Sequence, residues 1–142
     1  MNEREEITEP EEYMNLSPGS IFLTCLDDSK TLMNGIISIK QNPSQTIMNM
    51  FLDLNQILPK IDDLLSNDTE HETGSFESLI YTLKNKISKQ ERETCFSVIE
   101  NYLNYIILSA RNMPDHFKNL KFAPVKAAVM KDLYIKIRQE IR

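Results

Sequence analysis

Apolar side chains recur at three- and four-residue steps along almost the whole chain, which is the spacing of one face of an α-helix. Phe22, Leu26, Met33, Ile36 and Ile37 begin the pattern, thickened by Leu23, Cys25, Leu32 and Ile39. They predict a helix near 18–41. Gly35 and the Asp27-Asp28-Ser29 step weaken it, and the apolar run Ser20–Leu26 is the one place where a strand competes. Ser17-Pro18 marks its start, because proline at the first helical position gives up an N–H that has no intrahelical partner and serine caps the turn.

A second start signal is Asn42-Pro43-Ser44-Gln45, with Asn42 as the expected cap and Pro43 at the first helical position. Ile47, Met50, Phe51, Leu54, Ile57, Leu58, Ile61, Leu64 and Leu65 follow at helical spacing. Pro59 falls inside this pattern and is expected to kink or divide the helix, since it removes a hydrogen bond and its ring crowds the carbonyl one turn back. Residues 66–75 carry no apolar side chain and read as a solvated polar loop.

Ser75 caps a short helix with Phe76, Leu79, Ile80, Leu83 and Ile87. Ser88-Lys89-Gln90-Glu91 is a capping box, in which serine and glutamate each satisfy the other's free backbone N–H. It opens the most apolar helix, with Cys95, Phe96, Ile99, Tyr102, Leu103, Ile106, Ile107 and Ala110, expected at the centre of the fold. Pro114 ends it, and residues 115–122 form a connector with room for one helical turn. Ala123-Pro124 starts the last helix, whose face carries Val125, Val129, Leu133, Ile137 and Ile141. Glycine is scarce, and no strand-like runs flank an Asn-Gly or Asp-Gly hairpin turn. The predicted fold class is all-α: a single-domain bundle of about five helices over residues 17–142, preceded by a flexible acidic tail, 1–16.

Composition adds little beyond confirming a globular class: 142 residues, 41% hydrophobic and 26% charged. Charge distribution says more than the net value of −5. Residues 1–12 hold six glutamates against Arg4, and so little apolar surface that ordering them is not repaid by burial. Residues 51–80 carry seven acids against Lys60, while residues 118–142 are basic by about five charges. No apolar run approaches the ~18 residues of a membrane span, and the acidic start resembles neither a secretory signal nor a transit peptide. An intracellular location, cytoplasmic or nuclear, is the expectation. Cys25 and Cys95 both lie in apolar helical stretches and read as buried thiols in a reducing compartment.

Chemistry is sparse. The phosphate-cradling Gly-x-x-x-x-Gly-Lys loop and the Gly-x-Ser-x-Gly elbow are absent. Asp27-Asp28 and Asp62-Asp63 are neighbours in sequence, so on a helix they diverge by about 100°. The Glu-x-x-His step of carboxylate metal bundles does not occur. His71 lies in the polar loop and His116 in the connector, too far apart in sequence to suggest a zinc set with two separate cysteines. The loop acids Asp68, Glu70 and Glu72 lack the pattern of a calcium loop. No catalytic, cofactor-binding or metal-binding residue is therefore assigned, and the expected protein is not an enzyme.

What is left is binding. The favoured reading is a protein–protein interaction module: an adaptor, an accessory subunit or a regulator. The last helix is still apolar at the right spacing near residue 142, so Val129, Leu133, Ile137 and Ile141 are the candidate docking residues. The expected partner is a protein with an acidic or apolar helical surface, and a homo-oligomer is compatible with the same face. The alternative is a nucleic-acid-associated protein that uses a basic patch of Lys118, Lys121, Lys126, Lys136 and Arg138 against phosphates. In the tail, Tyr13 precedes Asn15 and Leu16 in spacings that short phosphotyrosine and sorting signals share. Ser17-Pro18 has the form of a proline-directed phosphorylation site. Tyr13 and Ser17 are the candidate phosphosites.

Overall fold

Ser17 Oγ accepts the backbone N–H of Ser20 at 3.2 Å and donates to Ser20 Oγ at 3.0 Å, so the first helix begins where the Ser-Pro pair places it. The computed structural model describes residues 16–39, 42–109 and 123–141. The acidic tail with Tyr13, and the 115–122 connector with Lys118, Lys121 and His116, lie outside the described residues. Five helices form: α1 (Pro18–Ile39), α2 (Gln45–Ser66), α3 (Phe76–Asn85), α4 (Lys89–Ser109) and α5 (Ala123–Glu140).

α1 runs without a break through Asp27-Asp28-Ser29, and the competing strand does not form. Asp28 and Ser29 are buried rather than solvated. Ser29 donates to the Cys25 carbonyl at 2.8 Å, a bond back along the helix that satisfies the hydroxyl without leaving helical geometry. α2 corrects the expected cap and shows which outcome at Pro59 does not occur. Its cap is Ser44, not Asn42: Ser44 is extended (φ −64°, ψ 149°) and its Oγ accepts the Ile47 N–H at 3.2 Å. Pro43 thus lies outside the helix. Pro59 does not divide α2, which continues for seven residues beyond it to Ser66. The ring lies on the exposed side, and flanking turns anchored by buried Leu54, Ile57, Ile61 and Leu65 hold the helix together.

The two remaining caps follow the sequence closely. Ser75 Oγ accepts the Ser78 N–H at 3.1 Å. At Ser88, both halves of the capping box are made: Glu91 N–H to Ser88 Oγ at 3.0 Å and Ser88 N–H to Glu91 Oε1 at 2.8 Å. Lys60 of α2 then reaches both Glu91 oxygens, at 2.9 and 3.0 Å, tying α2 to the start of α4. The Ser88 N–H, followed by the Lys60 ammonium, holds the Glu91 carboxyl below its ordinary range. Arg92 donates to the Leu83 carbonyl at 3.0 Å, placing a cation at the C-terminal end of α3, where the helix dipole favours one.

α1 and α4 each pack against all four other helices, so the expected single central helix is in fact a pair. Phe22, Leu26, Leu54, Ile61, Leu79, Leu83, Val98, Ile99, Met130 and Ile137 are fully buried between them and their neighbours. At roughly 1.5–3 kcal/mol for each fully buried large apolar side chain, this set is the dominant favourable term in folding. Polar contacts fix the register of the packing. Tyr102 of α4 donates to buried Asp28 of α1 at 3.4 Å. Tyr134 of α5 donates to Glu100 of α4. Phe96 meets Tyr134 edge-on at 5.7 Å, and the Arg138 guanidinium lies 4.8 Å above the Phe96 ring.

Candidate functional site

The loop between α2 and α3 departs from a solvated acidic segment. Asp68 is almost wholly enclosed, with a side chain 6% exposed. It accepts from Ser78 Oγ at 2.6 Å, from His71 Nδ1 at 2.9 Å and from the Glu70 backbone N–H at 2.9 Å. These donors, the Ser78 hydroxyl foremost and the Glu70 N–H next, hold its carboxyl down at about 2. The His71 ring stacks against Tyr81 at 5.1 Å, and Lys86 sits 5.5 Å from the centre of the Tyr81 ring.

Serine, histidine and aspartate meet here, but in an order that does no nucleophilic chemistry. In a catalytic triad the imidazole stands between the hydroxyl and the carboxylate, taking the proton from one while being oriented by the other. Here the carboxylate stands in the middle: Ser78 and His71 both bond the same Asp68 oxygen. Ser78 is fully buried, and its hydroxyl is spent as a donor. The arrangement is a loop lock. Among the described residues no group of three or more His, Cys, Asp and Glu is placed to hold a metal ion, and no helix is long and apolar enough to cross a membrane.

Cys25 and Cys95 are both buried, as their apolar surroundings suggest, and are not joined by a disulfide. Burial, with a smaller contribution from the Glu91 charge, pushes the Cys95 thiol up to about 12, far from the thiolate that a reactive cysteine needs. Beside Cys25, a cavity of about 10 Å³ is bounded by Asp28, Tyr102 and Met130 among others, enough for about one water.

The C-terminal docking candidates are placed in the interior. Ile137 is 0% exposed, Ile141 5% and Leu133 7%, while Val129 is half-buried. The spacing that predicted an open apolar face is satisfied by this chain's own α1 and α4, and burial withdraws Leu133, Ile137 and Ile141 from the surface. Of the basic patch, Lys136 and Arg138 are exposed on α5, with Lys131 exposed between them and the helix start. Asp132 and Glu140 interleave with these cations, so the described part of the face is of mixed sign. Ser17 is half-buried and engaged in its cap.

Sequence reasoning passed over a different surface. The last turns of α1 lie at the same end of the hairpin as the first turns of α2. There Ile36, Ile37, Ile47, Met48 and Phe51 are only half-buried, and Ile39 and Leu52 are 63% and 54% exposed. The signal was present in the sequence: around 47–52, Ile-Met-Asn-Met-Phe-Leu is apolar on more sides than a single core can cover. Comparison with protein-family models, with curated proteins and with solved structures found no match.

Proposed function

We propose that this protein works by binding another protein, as an adaptor, accessory subunit or regulator, and that the tip of the α1–α2 hairpin is its docking surface. The observation that supports this reading is the concentration of seven large apolar side chains at one end of the hairpin, five of them half-buried and two, Ile39 and Leu52, exposed. Contiguous apolar surface of this kind marks interaction sites more often than isolated exposed residues do. Ile39 and Leu52 would bury the most new surface on docking, at about 1.5–3 kcal/mol for complete burial of each. Met48 adds an unbranched, adaptable side chain suited to an irregular partner surface. The partner chemistry that fits is an apolar helical face. The test is whether proteins captured by the wild-type chain are lost when Ile39 and Leu52 are both changed to Asp, with the helical circular dichroism signal retained.

A further inference from the structure

A second surface lies on the flank of the same hairpin, nearer the start of α1. A groove of about 460 Å³ runs between α1 and α2, floored by Leu23, Leu58 and Pro59. Its rims carry three charges: Asp27 and Lys30 on α1, and Asp62 on α2. Asp27 and Asp62 are exposed, and among the described residues none of the three charges is in a salt bridge. The groove therefore offers an apolar floor beneath two anions and one cation.

α5 carries the complementary arrangement. Ile135 is 45% exposed, one of four large apolar residues so exposed among the described residues. Helical geometry puts Lys131 one turn before it and Arg138 one turn after it, on the same stripe, with Asp132 on its other flank. All three charged residues are exposed. Arg138 rests its guanidinium on the ring of Phe96 in α4. Leu16, Ile39 and Leu52, the other exposed large apolar residues, have no such pair of cations around them in the described chain. An apolar knob set among two cations and one anion answers an apolar groove rimmed by two anions and one cation.

We infer that copies of this chain associate head to tail, the Ile135 stripe of one copy seating in the α1–α2 groove of the next. Ile135 meets Leu23, Leu58 and Pro59, Lys131 and Arg138 face Asp27 and Asp62, and Asp132 faces Lys30. The two surfaces are different parts of the molecule, so the contact is heterologous: it propagates along a series of copies unless the rotation between them closes a ring. Charge complementarity of this kind sets register and speeds encounter, and its exposed pairs weaken as salt rises.

Sedimentation of the full chain over a range of concentrations tests this. At ionic strength well below ~0.1 M, average mass is expected to climb steadily with concentration, and to fall back towards the monomer well above it. Two charge-reversed variants are expected to self-associate at least about tenfold more weakly, because each sets like charges opposite one another. One is Lys131→Glu with Arg138→Glu; the other is Asp27→Lys with Asp62→Lys. All four positions are exposed, and an unchanged helical circular dichroism signal checks that the fold survives, above all for Arg138→Glu, which gives up the contact with Phe96. Mixed together, the two variants are expected to regain association that grows with concentration, in alternating order, since the acidic stripe of one fits the basic groove of the other and the unaltered stripe of the second still fits the unaltered groove of the first. A wild-type chain that stays monomeric throughout would overturn the inference. So would self-association that survives in both variants, or a mixture that fails to pair.

Discussion

The backbone N–H of Gly19 donates to the carbonyl of Gly74 at 2.8 Å, so the first turn of α1 is latched to the loop that precedes α3. The contact depends on the absence of side chains. A Cβ on Gly19 would come within 2.9 Å of the Gly74 Cα. A Cβ on Gly74 would meet Ser17 Oγ at 2.7 Å, and Gly74 has a positive φ of 76° that side-chain-bearing residues rarely adopt.

A glycine series should therefore split by sign. Gly74→Ala is expected to cost about 1–3 kcal/mol, from the left-handed backbone and the clash together. Gly19→Ala also loses stability, because the obstructing atom is backbone and does not swing away. Gly35→Ala goes the other way: nothing lies within 4 Å of its added methyl, and alanine in a helix interior is favoured by roughly 0.5–1 kcal/mol. Urea unfolding of the three variants measures all of this. Equal losses at Gly35 and Gly74 would contradict it.

Acid should loosen the loop lock. The Asp68 carboxyl is lowered from 3.8 to about 2 in the folded chain. A depressed carboxyl stabilises the folded state above its unfolded value and loses that contribution as pH falls through the folded value. Stability is therefore expected to decline as pH falls below about 3.8 towards 2, with Glu91 contributing in the same direction. Urea midpoints taken between about pH 5 and about pH 2 should fall more steeply for the wild type than for Asp68→Asn, which has no such charge to lose. Parallel slopes would remove Asp68 from the account.

The interior placement of α5 gives a third expectation. Ile137→Ala should destabilise the fold by about 2–5 kcal/mol, the range for large-to-small changes in a packed core. Ile135→Ala, two residues away but 45% exposed, should change stability by less than about 0.5 kcal/mol. Similar melting temperatures for the two variants would mean that α5 does not pack as described.

Most helix starts were legible because they are local. Ser17, Ser75 and the Ser88–Glu91 box each place an oxygen on a backbone N–H three residues on, and that geometry depends on nothing distant. Asn42 and Ser44 both fit the pattern of a cap, and only the path of the chain chose between them. The loop lock was half visible: Asp68-x-x-His71 is a spacing that pairs the two side chains, but Ser78, ten residues from Asp68, completes it only after α3 has packed. The same limit explains Ile137 and Ile141. Periodicity shows that a face is apolar but not whether it is covered by the same chain or by another. The α1–α2 tip was missed for the converse reason: Ile36, Ile37, Ile47 and Phe51 have core-like spacing, and the apolar excess around 47–52 does not say which of its side chains the core leaves only half-covered.

The most direct measurement of the proposed docking surface is site-specific crosslinking in the native cell. A photo-reactive side chain is placed at position 52, on the α1–α2 tip, or at position 73, beside Gly74. The Gly19–Gly74 bond sets position 73 at the start of α1, about 30 Å along the helix from the tip. Both sites are exposed, so both accept the probe without disturbing the core. The expected result is a discrete adduct with another protein from position 52 and none from position 73. Adducts of equal yield from both positions, or none from position 52, would contradict the tip as the surface through which this protein acts.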